Sequence, residues 1–155
     1  GKSPLEFSAL RVLNTRGRLQ SEIDACDSFR IQLDYQVAIP LDSVEIAIRI
    51  YSDSEIPVTT LISTNGLPRR APMSLVPGNY RAEVEVLGNF LMPGNYTLSP
   101  AAFQFNRQVF DHKERALQFC VNETGTTVAK YGHHKEIGVV LNSFVWSNAR
   151  HQSPD

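Results

Sequence analysis

The sequence predicts an all-β fold of two packed sheets, and three of its features support this prediction. Apolar residues recur at every second position in several segments, as in strands that bury one face. Turn-forming pairs such as Pro-Gly and Asn-Gly separate these segments. Residues 9–13 and 112–119 would pass for a helical turn at most, and neither sustains a helical period. Without helix-sized connections the sheets should be mostly antiparallel. Eight or so short strands at this spacing favour a β-sandwich, with a closed barrel as the weaker alternative.

Strands are predicted along the whole chain, and Phe29–Val37 is the clearest because its odd-numbered positions are all apolar. The same alternation recurs in residues 44–51, 80–86 and 117–121. Less regular strands are expected at residues 6–13, 58–63, 96–105 and 139–146.

One turn sequence, Pro-Gly-Asn-Tyr, occurs twice and ends in Tyr80 and Tyr96. Proline presets the backbone of a turn, and Gly-Asn tolerates the left-handed conformations of a tight corner. Each tyrosine then opens a strand, so we expect its ring to point inward and its hydroxyl to reach a loop backbone. Such an arrangement resembles the tyrosine corner of Greek-key sandwiches.

Size and charge limit the classes of function. The 155 residues are predicted to form a single domain, residues 1–155, large enough to bury a core. A net charge of −1 creates no field that attracts nucleic acid, and no apolar stretch is long enough to span a membrane. Alternation puts Cys120 opposite the face of Phe119 and Val121, which argues against a disulfide with Cys26. Two free thiols would be typical of a reducing compartment.

Catalytic and cofactor signatures are absent from the sequence. It has no glycine-rich phosphate loop, no Gly-x-Ser-x-Gly elbow and no His-Glu-x-x-His motif. His133 and His134 are neighbours whose side chains would point apart on an extended chain, so one metal would rarely bind both. Two acidic pairs have the composition of a glycosidase site: Asp111 with Glu114, and Glu83 with Glu85. The second pair shares a strand face with Arg81, as on a charge-balanced surface. We therefore expect neither catalysis nor a metal or cofactor in this chain.

Binding on a sheet face remains, and the two outward faces differ. One is predicted to mix charges without an aromatic ring: Arg30, Gln32, Asp34, Arg81, Glu83 and Glu85. The other is predicted to combine rings, amides and a guanidinium: Arg49, Tyr51, Gln118, Asn142, Phe144 and Trp146. Rings stack on sugar C–H groups while amides and guanidinium groups bond to hydroxyls, so the second set is the candidate carbohydrate site. Phe144 and Trp146 fit a core or an oligomer interface at least as well.

Several motifs occur together in a familiar order. They are Phe7, Leu10 and Val12 followed by Asn14 and Gly17, the strand Phe29–Val37, the corner at residues 91–98, Phe110-Asp111, residues 116–121, Gly138-Val139-Val140, and Trp146. The most telling combination is the Pro-Gly-x-Tyr-x-Leu corner followed by an aspartate and a Phe-x-Val strand. This order resembles the C-terminal carbohydrate-binding domain of Wzt-type O-antigen ABC transporters over nearly the whole chain.

The resemblance implies an immunoglobulin-like sandwich at the cytoplasmic face of a bacterial inner membrane, fused to or cleaved from an ATPase domain. ATP would bind that ATPase, outside this chain. The resemblance also implies recognition of the finished, often chemically capped, non-reducing end of a lipid-linked O-antigen polysaccharide. Recognition would commit that polysaccharide to export through the transporter's ATPase and membrane subunits. A homodimer is implied as well, with exchange of the last strand as one route and residues 131–136 as the hinge. No individual sugar contact carries over from the family.

Two other interpretations stay open. An immunoglobulin-like structural or protein-interaction module would use its exposed aromatic residues for protein contacts and bind no glycan. An enzyme that uses the sandwich as a scaffold would need an acid–base pair, which the sequence does not offer convincingly.

Overall fold

The protein is a two-sheet β-sandwich, as its alternating sequence predicts. The structure, a computed structural model, describes residues 2–123, 138–141 and 145–150. Its strands are β1 (Leu5–Leu13), β2 (Glu22–Asp24), β3 (Phe29–Val37), β4 (Leu41–Ser52), β5 (Pro57–Ile62), β6 (Met73–Leu75), β7 (Gly78–Val86), β8 (Gly94–Gln104), β9 (Gln108–His112) and β10 (Leu117–Asn122). A short 3-10 helix, Ser63–Asn65, follows β5.

Among the described residues, the strands form a small sheet and a large one. The small sheet has the order β1-β3-β7, and the large sheet has the order β2-β10-β8-β4-β5. The short strand β6 pairs with β4, and β9 pairs with β8. Neighbouring strands are antiparallel except β2 and β10, which run parallel. The chain therefore crosses from the small sheet to the large one and back between β1 and β3.

Inward side chains of both sheets meet in two apolar clusters between them. In one cluster, the rings of Phe29 and Phe119 lie 5.4 Å apart and join the small sheet to the large one. The other cluster is centred on fully buried side chains such as Leu33 and Val44. Each such side chain stabilises the fold by about 2 kcal/mol through burial, so the two clusters hold the sheets face to face.

Both predicted tyrosine corners are confirmed. The hydroxyl of Tyr96 donates to the carbonyl of Met92 at 2.5 Å, and the hydroxyl of Tyr80 donates to the carbonyl of Val76 at 2.6 Å. Tyr96 is 2% exposed, whereas Tyr80 lies nearer the surface. Burial raises the pKa of Tyr96, so its hydroxyl remains a donor. Each corner ties the start of a strand to the loop before it.

The strand predicted at residues 139–146 is wrong for the part of it that is described. Val140 forms a single bridge with Leu91, while Val145 and Trp146 lie in no strand. The physical reason is that β2 already occupies the outer edge of β10, so the last segment finds no sheet edge there. It pairs with the loop before β8 instead, where Val139 accepts a backbone hydrogen bond from Met92. The predicted hinge, residues 131–136, lies outside the described residues.

Cys120 points outward from β10, as predicted, and Cys26 is exposed in the turn after β2. The two thiols form no disulfide. In the part of the chain that the structure describes, no helix is long and apolar enough to cross a membrane.

Candidate functional site

Three central strands of the large sheet bring polar side chains into one row on its outward face. β4, β8 and β10 lie side by side, and their register sets Tyr51 opposite Thr97 and Thr97 opposite Gln118. Neighbouring strands are about 4.8 Å apart, so the row from Tyr51 to Gln118 spans about 10 Å. The row combines a phenol ring, a hydroxyl and an amide, and it is accessible to solvent.

Arg49 occupies the adjacent row, where it faces Ser99 on β8 and Thr60 on β5. Its Nε donates to the Thr60 hydroxyl at 3.0 Å, and its Nη1 lies 3.5 Å from the Tyr51 hydroxyl. These two contacts hold the guanidinium beside the Tyr51 ring. No carboxylate among the described residues pairs with Arg49, so its remaining N–H donors are available to a ligand.

A cavity of about 190 Å³ opens at the end of the first row. Each residue that lines it carries a polar group: Ser52, Asp53, Glu55, Asn95, Tyr96, Thr97, Arg115 and Gln118. Glu55 and Arg115, from two different turns, form an ion pair of 2.7 Å. The hydrogen bond from Arg115 lowers the pKa of Glu55 and keeps it ionised. The backbone N–H of Arg115 also donates to the Ser99 hydroxyl at 2.8 Å, which fixes this turn against the sheet.

The outward face of the small sheet has the predicted mixture of charges, and each of its arginines is paired with a carboxylate. Asp34 accepts from Arg11 at 2.8 Å and from Arg81 at 2.7 Å. These hydrogen bonds, that from Arg81 above all, lower the pKa of Asp34 to about 2. Glu83 likewise accepts from Gln32 at 2.8 Å and from Arg30 at 3.1 Å. The guanidinium charges of this face are therefore already compensated, while the side chain of Glu85 makes no hydrogen bond or ion pair with a described residue.

One member of each acidic pair considered for hydrolysis, Glu83 and Asp111, is bonded to other groups. The bond from Gln32 is the main cause of a lowered pKa at Glu83, which makes this group a poor proton donor. Asp111 accepts the backbone N–H of Phe7 at 2.8 Å and so ties β9 of the large sheet to β1 of the small one. Within the described residues no group of three His, Cys, Asp or Glu side chains could hold a metal ion. His133 and His134 lie outside those residues.

The structure brings Arg49, Tyr51 and Gln118 together, as the sequence predicts. Asn142 and Phe144 lie outside the described residues. The predicted placement of Trp146 on the last strand of this face is wrong, because Trp146 lies in no strand and is 81% exposed. That exposure also excludes Trp146 from the core of the described structure.

Sequence reasoning missed several polar members of this surface. Asn95 and Thr97 alternate with the buried Tyr96 and Leu98. The two-residue period of β8 therefore predicts that Asn95 and Thr97 point outward. Glu55 and Arg115 belong to turns and have positive φ angles of 62° and 49°. No periodic pattern reports which turns of a sandwich come together.

The family model of the Wzt C-terminal domain matches residues 1–133. The chain belongs to the Wzt C-terminal domain family. It is thus a domain related to O-antigen transporters, and the match contains every strand, Arg49, Tyr51 and Gln118. The match ends before two motifs that contribute to the resemblance in the sequence, Gly138-Val139-Val140 and Trp146.

Solved structures agree with this Wzt-type fold. The crystal structure of the C-terminal domain of wzt is similar with a TM-score of 0.77 at 12% identity, covering 96% of this chain and 86% of that one. An alkylpurine DNA glycosylase, AlkC of Pseudomonas fluorescens bound to DNA with an abasic site analog, gives a TM-score of 0.51 at 11% identity, covering 77% of this chain and 31% of that one. At these identities the likeness concerns the fold alone. No curated protein matches the chain.

Proposed function

We propose that this Wzt C-terminal domain recognises a polysaccharide without catalysing a reaction on it, and that the outward face of the large sheet is the binding surface. The contrast between the two outward faces carries the proposal. On the small sheet Arg11, Arg30 and Arg81 each pair with a carboxylate, whereas on the large sheet Arg49 pairs with no described carboxylate and retains N–H donors beside an aromatic ring. Unused donors next to a ring are what a sugar needs.

Each residue of the row has a defined part in this proposal. The Tyr51 ring offers a face to sugar C–H groups, and the guanidinium of Arg49 donates to hydroxyls on the same sugar. Gln118 both donates and accepts about 10 Å away, so it would contact the next sugar along the row. Binding by several such contacts, each partly exposed to water, favours a repeating polymer over a small molecule.

We further propose that the ligand is the finished, often capped, non-reducing end of a lipid-linked O-antigen polysaccharide. Binding would couple completion of the polysaccharide to its export. The domain would act at the cytoplasmic face of the bacterial inner membrane, together with the transporter's ATPase and membrane subunits. ATP would bind the ATPase domain, and this domain would use no cofactor. Membership of the Wzt C-terminal domain family supports this assignment.

A homodimer formed by exchange of the last segment is also part of the proposal. Val145 is 98% exposed and Trp146 is 81% exposed, so neither side chain is buried against the described part of its own domain. Just before them, the segment is attached to its own domain through the Leu91 loop by a few backbone hydrogen bonds. Sedimentation analysis should show a dimer that a chain ending at residue 137 no longer forms. A shortened chain that still dimerises would contradict the exchange.

The binding proposal is tested by retention of lipopolysaccharide on the immobilised domain and its release by O-antigen oligosaccharides. Arg49→Ala should weaken binding about tenfold or more, because a hydrogen bond to a charged donor contributes about 1.5–3 kcal/mol. Gln118→Ala should weaken binding several-fold. Gln36→Ala is the matched control, since Gln36 is an exposed, outward glutamine on the small sheet.

The result that would contradict the proposal is equal retention by Arg49→Ala, Gln118→Ala and Gln36→Ala. Indifference of the domain to every glycan of the host envelope would reject glycan binding altogether. The second candidate function, a protein-interaction module, is favoured by the exposed Val145 and Trp146. The protein-interaction function predicts that replacing Val145 and Trp146 abolishes association with the partner protein. It also predicts that the unsubstituted domain retains no glycan.

A further inference from the structure

The flank of the sandwich between β7 and β5 is open, and a cavity of about 440 Å³ enters the core there. In the described part of the chain, β7 pairs with β3 alone and β5 with β4 alone, so neither edge is covered. Inward side chains from both sheets line the cavity: Tyr35, Ile46, Ile48, Leu61, Ala82 and Val84. Its volume lies within the range of small-molecule sites, and its walls are mainly apolar.

Local features of the sequence keep this flank open. β4 pairs with β6 up to Val44 and with β5 from Ala47 onward. Between these two pairings the N–H of Ile46 donates to the Ser63 hydroxyl at 3.0 Å. A side chain thus replaces a neighbouring strand, and residues 63–72 pass outside the sheet edge. Opposite them, Ala82 supplies a small inward side chain on β7. The opening is therefore built by the loop and by the small residue facing it.

The mouth of the cavity has a positive charge that is paired with no described residue. Arg70, Arg81 and Glu83 line it. Arg81 is bonded to Asp34 and Glu83 to Gln32, so their charges are compensated. Arg70 makes no hydrogen bond or ion pair with any described residue. Beside it in the same lining, the side chain of Leu67 is fully exposed.

We propose that this flank cavity binds an amphiphile, an apolar chain that ends in a carboxylate or phosphate. The chain would enter between the sheets over Ile46 and Val84, and Leu67 would cover it. The anionic end would remain at the mouth, where Arg70 supplies the complementary charge. The cavity lies between the sheets, whereas Arg49 and its row face outward from the large sheet, so this proposal is independent of glycan binding.

The test is calorimetric titration of the full chain with three ligands of equal chain length, each below its micelle concentration. Dodecanoate and dodecyl phosphate should bind, and dodecyl maltoside, which has an uncharged head, should bind at least fivefold more weakly. Decanoate should bind about tenfold more weakly than dodecanoate, because it buries two fewer methylene groups. A difference between carboxylate and phosphate identifies which anion the mouth prefers.

Variants separate the parts of the site. Arg70→Glu should weaken dodecanoate binding at least fivefold, while Arg107→Glu, an exposed arginine in the turn after β8, should leave it unchanged. Ala82→Phe fills the cavity and should abolish binding. If that variant does not fold, Ala71→Trp decides, because Ala71 is exposed at the mouth and its replacement blocks entry without entering the core.

Three outcomes would overturn the proposal. Absence of binding, or binding undiminished by a filled or blocked cavity, rejects the site. Equal affinity for the maltoside, or no effect of Arg70→Glu, rejects the anionic ligand. Absence of ligand binding together with a dimer that Ala71→Trp disrupts would show that a second copy of the chain covers the cavity, and would reject a small-molecule ligand there.

Discussion

The two copies of the Pro-Gly-Asn-Tyr turn allow one hydrogen bond to be compared in two environments. Tyr96→Phe and Tyr80→Phe remove the same hydroxyl and retain the ring. At Tyr96 the bond to the Met92 carbonyl is buried, whereas at Tyr80 the bond to the Val76 carbonyl is exposed to solvent. The sequence context of the two turns is nearly identical. The Tyr80 hydroxyl also accepts the Val76 N–H at 3.2 Å, but this bond too is exposed and water can replace it, so burial should determine the effect on stability.

The expected loss of unfolding free energy depends on whether water can reach the carbonyl that has lost its tyrosine donor. A buried acceptor that loses its donor costs about 1–3 kcal/mol, so we expect Tyr96→Phe to lower the free energy of unfolding by about 2 kcal/mol. Water can replace the hydroxyl of Tyr80 at the Val76 carbonyl. We therefore expect Tyr80→Phe to lower it by about 0.5 kcal/mol.

Urea denaturation followed by fluorescence measures both changes, with the slope of the transition expected to stay constant. In a domain of this size the corresponding changes in Tm are about 4–8 °C for Tyr96→Phe and about 1–2 °C for Tyr80→Phe. Equal losses, or a larger loss for Tyr80→Phe, would refute the argument from burial.

Three further predictions concern stability. Gly88→Ala should lower the free energy of unfolding, measured by urea denaturation, by at least about 2 kcal/mol, because the new Cβ would lie 2.2 Å from the backbone oxygen of Cys26. Gly66→Ala is the control and should be neutral, because no atom lies nearer than 3.9 Å to its Cβ. Asp111→Ala should lower the free energy of unfolding by about 1–3 kcal/mol and accelerate hydrogen exchange of the Phe7 amide, which donates to Asp111. The ion pairs of Asp34 with Arg81 and Arg11 lower its pKa from the ordinary value of 3.8 to about 2 in the folded protein. The stabilisation of the fold by the Asp34 carboxylate is therefore complete above about pH 4 and is lost as the pH falls through about 2. The stability difference of about 1 kcal/mol between wild type and Asp34→Asn should therefore vanish over that range; a constant difference would contradict this.

Alternation located most of the strands because one face of each is buried. β3 coincides with its predicted bounds, Phe29–Val37, since its inward positions are all apolar. The short strands β2, β6 and β9 were missed because each is too short to show a period. Apolar content alone also suggested a strand at residues 139–146, although the sheet edge it would need is occupied by β2.

The candidate site was predictable to the extent that it lies on strands. Arg49, Tyr51 and Gln118 alternate with buried neighbours, so their outward direction follows from the sequence. Which strands are neighbours depends on pairings between distant parts of the chain, and a local pattern does not contain that information. The flank cavity was not foreseen for the same reason, because it depends on a loop passing outside a sheet edge.

The parallel pairing of β2 with β10 sets the order in which the protein can be completed. Glu22 lies opposite Cys120, so β2 has no pairing partner until β10 has been synthesised. During synthesis the edge of β8 stays bare until β10 has emerged from the ribosome, and bare edges are where chains associate wrongly. Pairings between such distant residues also form slowly. We therefore expect this domain to fold late and as one unit, and a chain stopped before Leu117 to aggregate rather than to persist as a partial sandwich.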